Sequence, residues 1–145
     1  MQNEYLFELG GENTELAKYE ALNLLKLSNY EPALKSDFGK IVCICTNRNL
    51  KENIKSRLGM TKRISKVLFH SKDKNIYEVI ENIDYIDIGK NSFRIRQMVK
   101  SELKEKEIAI LIGDKINHKN EINLDNPKVT IFFYSGRETF ITLNN

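Results

Sequence analysis

Apolar and polar positions along the chain change period several times, and each change marks an element. Glu4-Tyr5-Leu6-Phe7-Glu8-Leu9 alternates and is rich in aromatics, which predicts a first strand, ended by Gly10-Gly11. Asn13 or Thr14 can cap the helix that follows, and Glu12 and Glu15 suit its positive end. Ala17, Ala21, Leu24 and Leu25 give that helix an apolar stripe, and residues 28–32 close it. Residues 33–38 and 40–46 read as two strands about Gly39. The second is a continuous Ile-Val-Cys-Ile-Cys run, as in a strand buried on both faces. Leu50, Ile54 and Leu58 line one side of a predicted short helix over residues 50–58, stopped at Gly59. Residues 64–70 form a further strand. The order is β-α-β-β-α-β, that of a ferredoxin-like unit.

Asp73-Lys74-Asn75 reads as a boundary, giving a ferredoxin-like domain over residues 1–73 and a second domain over 74–145. Ile76, Val79, Ile80 and Ile83 form the stripe of a short helix. Residues 92–100 then alternate. Phe93, Ile95, Gln97 and Val99 point one way, Arg94, Arg96, Met98 and Lys100 the other. Ser101 can cap a helix over residues 102–117 with Ile108, Leu111, Ile112 and Ile116 on its inner face. Ala109 and Gly113, four apart, predict a close approach by a neighbouring element, since a mid-helix glycine otherwise costs about 1 kcal/mol against alanine. Residues 122–124 are a short strand or extended segment, turned by Asp125-Asn126-Pro127. Residues 128–134 and 138–143 form a hairpin about Ser135-Gly136-Arg137. The second half is α-β-α-β-β with mixed pairing, and the fold class is α/β, of the α+β kind.

An apolar fraction of 41% and a charged fraction of 30% belong to a soluble globular protein, and 145 residues suffice for one domain or two small ones. No apolar run approaches the roughly 18 residues of a membrane span, and the acidic N-terminus lacks the basic start and apolar centre of a signal peptide. The expected location is the cytoplasm, with no membrane partner. Cys43 and Cys45, two apart on one strand, share a face and are too constrained for an ordinary disulfide, which makes them core thiols.

The net charge of +3 is modest, but its distribution is uneven. Residues 1–30 carry five acids and two bases, a balance of −3. Residues 47–74 carry nine bases and two acids, a balance of +7. Residues 75–90 return to −3, and 91–106 to +3. The basic blocks point to nucleic acid. Arg48, Lys51, Lys55 and Arg57 lie on the outer side of the predicted short helix, Lys62, Arg63 and Lys66 follow, and Arg94, Arg96 and Lys100 share one face of a strand. Arg offers a planar fork to phosphate and Lys a point charge, so contacts to a nucleic-acid backbone fit these groups. We take Arg94, Arg96, Lys100, Lys62, Arg63, Lys66, Lys51 and Lys55 as candidate RNA-binding residues. A half-buried strand with a merely solvated charged face has the same pattern. Tyr134 or Phe132 could stack on a single-stranded end, or simply belong to the core.

Catalytic patterns are lacking. The glycines never form GxGxxG or a phosphate loop, and no nucleophile elbow occurs. His70 and His118 have no spaced partner for a metal site. The acidic pairs Asp84/Asp87 and Glu102/Glu105 sit on solvated segments. We therefore assign no catalytic and no metal-binding residue.

Three stretches taken together resemble a known family. Ser92-Phe93-Arg94-Ile95-Arg96, then Ile112-Gly113, then Asn123-Leu124-Asp125-Asn126-Pro127-Lys128-Val129-Thr130-Ile131 is similar to the THUMP domain of tRNA-modifying enzymes. Tyr5-Leu6-Phe7-Glu8-Leu9-Gly10-Gly11-Glu12-Asn13, with Leu16-Ala17, Glu20 and Arg57-Leu58-Gly59-Met60-Thr61-Lys62-Arg63, resembles the N-terminus of archaeal and eukaryotic tRNA guanosine N2-methyltransferases. The resemblance implies a ferredoxin-like unit packed on a THUMP domain, gripping the tRNA acceptor 3′ end and presenting a nucleotide to a separate methyltransferase domain. It also implies that S-adenosylmethionine belongs to that catalytic domain, whose glycine loop and Asp/Asn-Pro-Pro-aromatic motif are not in this sequence. The chain by itself is then expected to be non-catalytic and to bind no cofactor. Two alternatives are an accessory RNA-binding subunit of another tRNA-modifying enzyme and a ferredoxin-like interaction domain with no RNA role. Whether the chain is a fragment or complete, and its oligomeric state, stay open at this level.

Overall fold

The computed structural model describes residues 3–99, 104–117 and 119–144. It falls into two units, Met1–Val67 and Leu68–Asn145, each with its own apolar cluster. The first contains strand β1 (Asn3–Leu9), helix α1 (Thr14–Leu27), strands β2 (Ala33–Asp37) and β3 (Ile41–Thr46), and the start of β4 (Thr61–Ser71). β2 pairs with β3, β3 with β1 and β1 with β4, all antiparallel. That order is the ferredoxin-like one, in which the first helix carries the chain past the central strand to the far edge.

Alternation along β1 sends Tyr5, Phe7 and Leu9 to the helix side, where they meet Ala17, Ala21 and Leu25. Both alanines are fully buried, so their small side chains let α1 lie close on the sheet. Asn13 caps α1 by accepting from Leu16 N at 3.0 Å, which settles the choice between Asn13 and Thr14. Cys43 and Cys45 are buried thiols.

The helix expected over residues 50–58 is not formed. Leu50, Ile54 and Leu58 do turn inward, but the segment makes turns and a single 3-10 turn, Lys55–Arg57. Local competition explains this. A nine-residue stretch is marginal as a helix. Here the backbone N–H groups of Leu50 and Lys51 donate to the hydroxyls of Tyr5 and Tyr30, both at 3.1 Å, and Ser56 Oγ donates to Asn53 O at 2.8 Å. Glu20 of α1 then accepts from Met60 N at 3.0 Å and Gly59 N at 3.3 Å, pinning the end of the loop.

Lys18 on α1 bridges Glu15 and Asp37, each at 2.9 Å. Its ammonium, together with the Gly39 N–H, holds the Asp37 carboxyl below its usual range. A depressed carboxylate pKa adds stability above the unfolded value and loses it as pH falls through the folded one. Asp37→Asn keeps an acceptor for Gly39 but removes the charge. The variant should melt below wild type at neutral pH, and the gap should close in acid, below about pH 4. Parallel melting curves across that window check it; a gap that persists at low pH would show the ion pair to be irrelevant.

The second unit comprises the end of β4, helix α2 (Ile76–Glu81), strand β5 (Phe93–Gln97), helix α3 (Glu105–Gly113), and strands β6 (Val129–Ser135) and β7 (Thr139–Asn144). β5 pairs parallel to β6, and β6 antiparallel to β7. α3 lies on the connection between the parallel strands, as such pairing requires a crossover. Phe93, Val129, Ile131, Phe133 and Ile141 form the sheet side of the core. Ile76, Val79, Ile80, Ile108 and Ile112 come from the helices. Leu68 and Phe69 pack against the same cluster, and His70 stacks on Phe140 at 4.1 Å with Nε2 2.6 Å from Glu138 Oε1. The α/β class of the α+β kind, with mixed pairing, is thus the observed one: seven strands and three α-helices among the described residues. Among those residues no helix is long and apolar enough to cross a membrane.

Several boundaries differ from expectation. α3 begins at Glu105 with Lys104 at its cap, and no side chain caps it; the expected cap Ser101 lies outside the described residues. Of the two readings for residues 122–124, the extended segment is the observed one, with a single bridge from Ile122 to Phe93. Gly113 is not dictated by crowding, because a Cβ there would meet Ile95 Cδ1 at an ordinary 3.7 Å.

Candidate nucleic-acid interface

The ladder register puts Arg94 opposite Thr130 and Arg96 opposite Phe132, on the sheet face turned away from the helix-covered core. Arg94 Nε donates to Thr130 Oγ1 at 3.2 Å, and Nη1 reaches Leu124 O at 3.4 Å, so its stem is ordered while its fork stays partly open. Arg96 is exposed, with Glu105 at 3.9 Å. The predicted alternation holds through Gln97 and then fails. The strand ends there and the chain bends, so Met98 is buried and Val99 exposed, the reverse of the expected phase. Lys100, a candidate on the same face, lies outside the described residues.

In the first unit β4 separates the other candidates. Arg63 pairs with Glu8 at 2.6 Å, next to it in the ladder, on the face away from α1. Lys66, opposite Tyr5, points to the other face, and Lys62 falls at the register shift between the two strands. Lys66 Nζ donates to Asn49 Oδ1 at 3.2 Å and so sits beside the loop that carries exposed Lys51 and Lys55. Sequence order grouped Lys62, Arg63 and Lys66; the pleat divides Arg63 from Lys66. The loop gains a second fixed cation. Arg48 lies over the Tyr30 ring at 3.9 Å and donates to Ser28 O at 2.8 Å, a placement no sequence signal announced.

Of the two aromatics considered for stacking, Phe132 is buried at 5% exposure and cannot present a face. Tyr134 is half-buried, and burial pushes its phenol above the usual range. No group of three metal-ligating side chains gathers among the described residues.

No family model and no curated protein matches the sequence. Solved structures do match the fold. TrmN from Thermus thermophilus superposes at a TM-score of 0.61 with 14% identity, over 99% of this chain. A possible methylase from Clostridium difficile 630 gives 0.68 with 12% identity over 99%, and a 4-thiouridine synthetase, solved with RNA and ATP, gives 0.56 with 15% over 99%. At these identities the likeness defines a fold. The chain spans 41–45% of the length of those three proteins.

Proposed function

We propose that this chain is the RNA-binding module of a tRNA-modifying enzyme, a THUMP-type domain behind a ferredoxin-like unit. It grips tRNA by its phosphates at the acceptor 3′ end and presents a base to an S-adenosylmethionine-dependent guanosine N2-methyltransferase domain. The observation that carries this is the fold match over 99% of the chain to a synthetase solved with RNA and to a protein named as a methylase. That one fold accompanies two chemistries also favours a second reading, an RNA-holding part that serves thiolation or another modification. Under either reading the cofactor belongs to the catalytic part: the residues here offer one glycine pair after β1, and no cofactor-binding glycine motif.

Whole-tRNA gel shifts over a salt series test the proposal. Neutralising about four to six phosphates gives a log–log slope of roughly −3 to −5. Arg94→Ala/Arg96→Ala should flatten that slope by up to about two units, and Arg63→Ala, already committed to Glu8, by much less. A 3′-truncated tRNA should bind more weakly. Unchanged slope and affinity in a folded double variant would remove β5 from the interface.

A further inference from the structure

Helix α1 buries one side and keeps a second apolar line in solvent. Ala17, Ala21 and Leu25 face the sheet and are fully buried. On the other side Leu16, Tyr19 and Leu27 are 53%, 56% and 82% exposed. With Asn23, also exposed, they recur at intervals of three and four residues, so they lie above one another along about three turns. Exposed apolar side chains scattered singly are ordinary on a protein surface. Three in one line, on a helix that already buries its own stripe, form a second seam.

The charges along this seam select what covers it. Glu12 and Glu15 are exposed at its N-terminal end and Lys26 at its C-terminal end. A partner of one sign would match one end and oppose the other. A second α1 laid antiparallel matches both, because Glu15 of each copy then meets Lys26 of the other, and the helix dipoles oppose as well. Glu15 gives Lys18 one oxygen, Oε1, so Oε2 is left for this contact. A two-fold axis at the level of Ala21 puts Tyr19 opposite Asn23 of the second copy, and Leu16 against Leu27. The same patch then serves both copies, and the assembly closes at two. Intervals of three and four are also those of helices that pack at a crossing angle of about 20°. We propose that the outer face of α1 is a self-association surface, through which two copies of this chain pair antiparallel. This goes beyond the RNA-binding reading and does not rest on it. One helix face per copy buries less than the roughly 1,200 Å² of standard interfaces, so the dimer forms and dissolves with protein concentration.

Sedimentation velocity on the full chain, over a series from micromolar to millimolar protein, tests this. Wild type should pass from monomer to dimer across the series. Leu16→Ala/Leu27→Ala changes two exposed positions and keeps helix propensity, yet should weaken association about a hundredfold, because the two-fold repeats every lost contact. Lys26→Glu and Glu15→Lys should each weaken it about tenfold by setting like charges opposite one another. Combined, the two charge changes exchange the ends of the seam and should restore most of the loss. Melting curves run beside each variant, and Tyr19→Ala replaces the leucine pair should that pair melt early. A wild type that stays monomeric throughout overturns the proposal. So does a dimer that the seam variants leave intact, which would place the contact elsewhere. A charge exchange that weakens association further, instead of restoring it, overturns the antiparallel pairing.

Discussion

Phe133→Ala is expected to lower the unfolding free energy by about 3–5 kcal/mol, the cost of emptying a fully packed aromatic site. Phe133 is wholly buried, on the central strand of the second unit, among Ile108, Ile112, Ile131 and Ile141. It cannot be replaced by a shift of neighbours, because β6 is held by β5 on one side and β7 on the other. A domain's total stability is about 5–15 kcal/mol, so the loss is a large share of it. Urea denaturation of wild type and variant, beside the exposed-site control Ile122→Ala, measures it. A loss no larger than the control's would mean that this cluster is not the core.

Tyr30→Ala should be nearly as costly, at about 3–5 kcal/mol, and Tyr30→Phe only about 0.5–1.5 kcal/mol. Tyr30 is 1% exposed, and it joins three things at once. Its ring carries Arg48, its hydroxyl accepts Lys51 N, and its backbone bonds both Leu25 O and Asn47 N at 3.0 Å. Asn29 and Glu31 on either side take the left-handed conformation, at φ 63° and 46°, a strain the chain accepts to aim this side chain inward. The two variants separate packing from hydrogen bonding. In Tyr30→Phe the amide of Lys51 should exchange faster with solvent while global stability hardly moves. In Tyr30→Ala the whole loop bearing Lys51 and Lys55 should loosen. Equal stability of the two variants would show that the ring itself contributes little.

Most of the fold could be read from periodicity, because strands and helices that bury one face write that face into the chain. β1, β3, α1, α2 and the β6–β7 hairpin fall where alternation or helical spacing puts them. The failures share a cause. The stretch over residues 50–58 has helical spacing, but two tyrosine hydroxyls, one from β1 and one from the connection between α1 and β2, take its first amides, and no local pattern announces a partner more than 20 positions away. The phase of β5 was legible up to Gln97, and then a bend exchanged Met98 with Val99. For the candidate site, sequence identified the cations but not their company. Arg63 is next to Glu8 only through the register of β1 and β4, a relation between strands 55 positions apart. A groove between α3 and the segment over residues 120–124 was half visible: Ala109 and Gly113 marked a surface of small side chains, read as a close contact, where the structure leaves a space.

The parallel pairing of β5 has a kinetic consequence. β6 and β7 meet across a tight turn closed by Gly136 N donating to Glu138 O, so their ladder needs almost no chain search. β5 finds β6 through a crossover, with Arg94 and its partner Thr130 separated by 36 positions. Closing that interval costs chain entropy before any contact rewards it, and non-local pairings of this kind form slowly. Beyond the bridge at Phe93, β5 has ladder contacts on one side, which makes it an early strand to detach in local opening. The strand offering Arg94 and Arg96 therefore joins after the β6–β7 hairpin and is among the first to leave. A ligand that clasps it would act as a latch on assembly, drawing its stabilisation from the part of the molecule with most to gain.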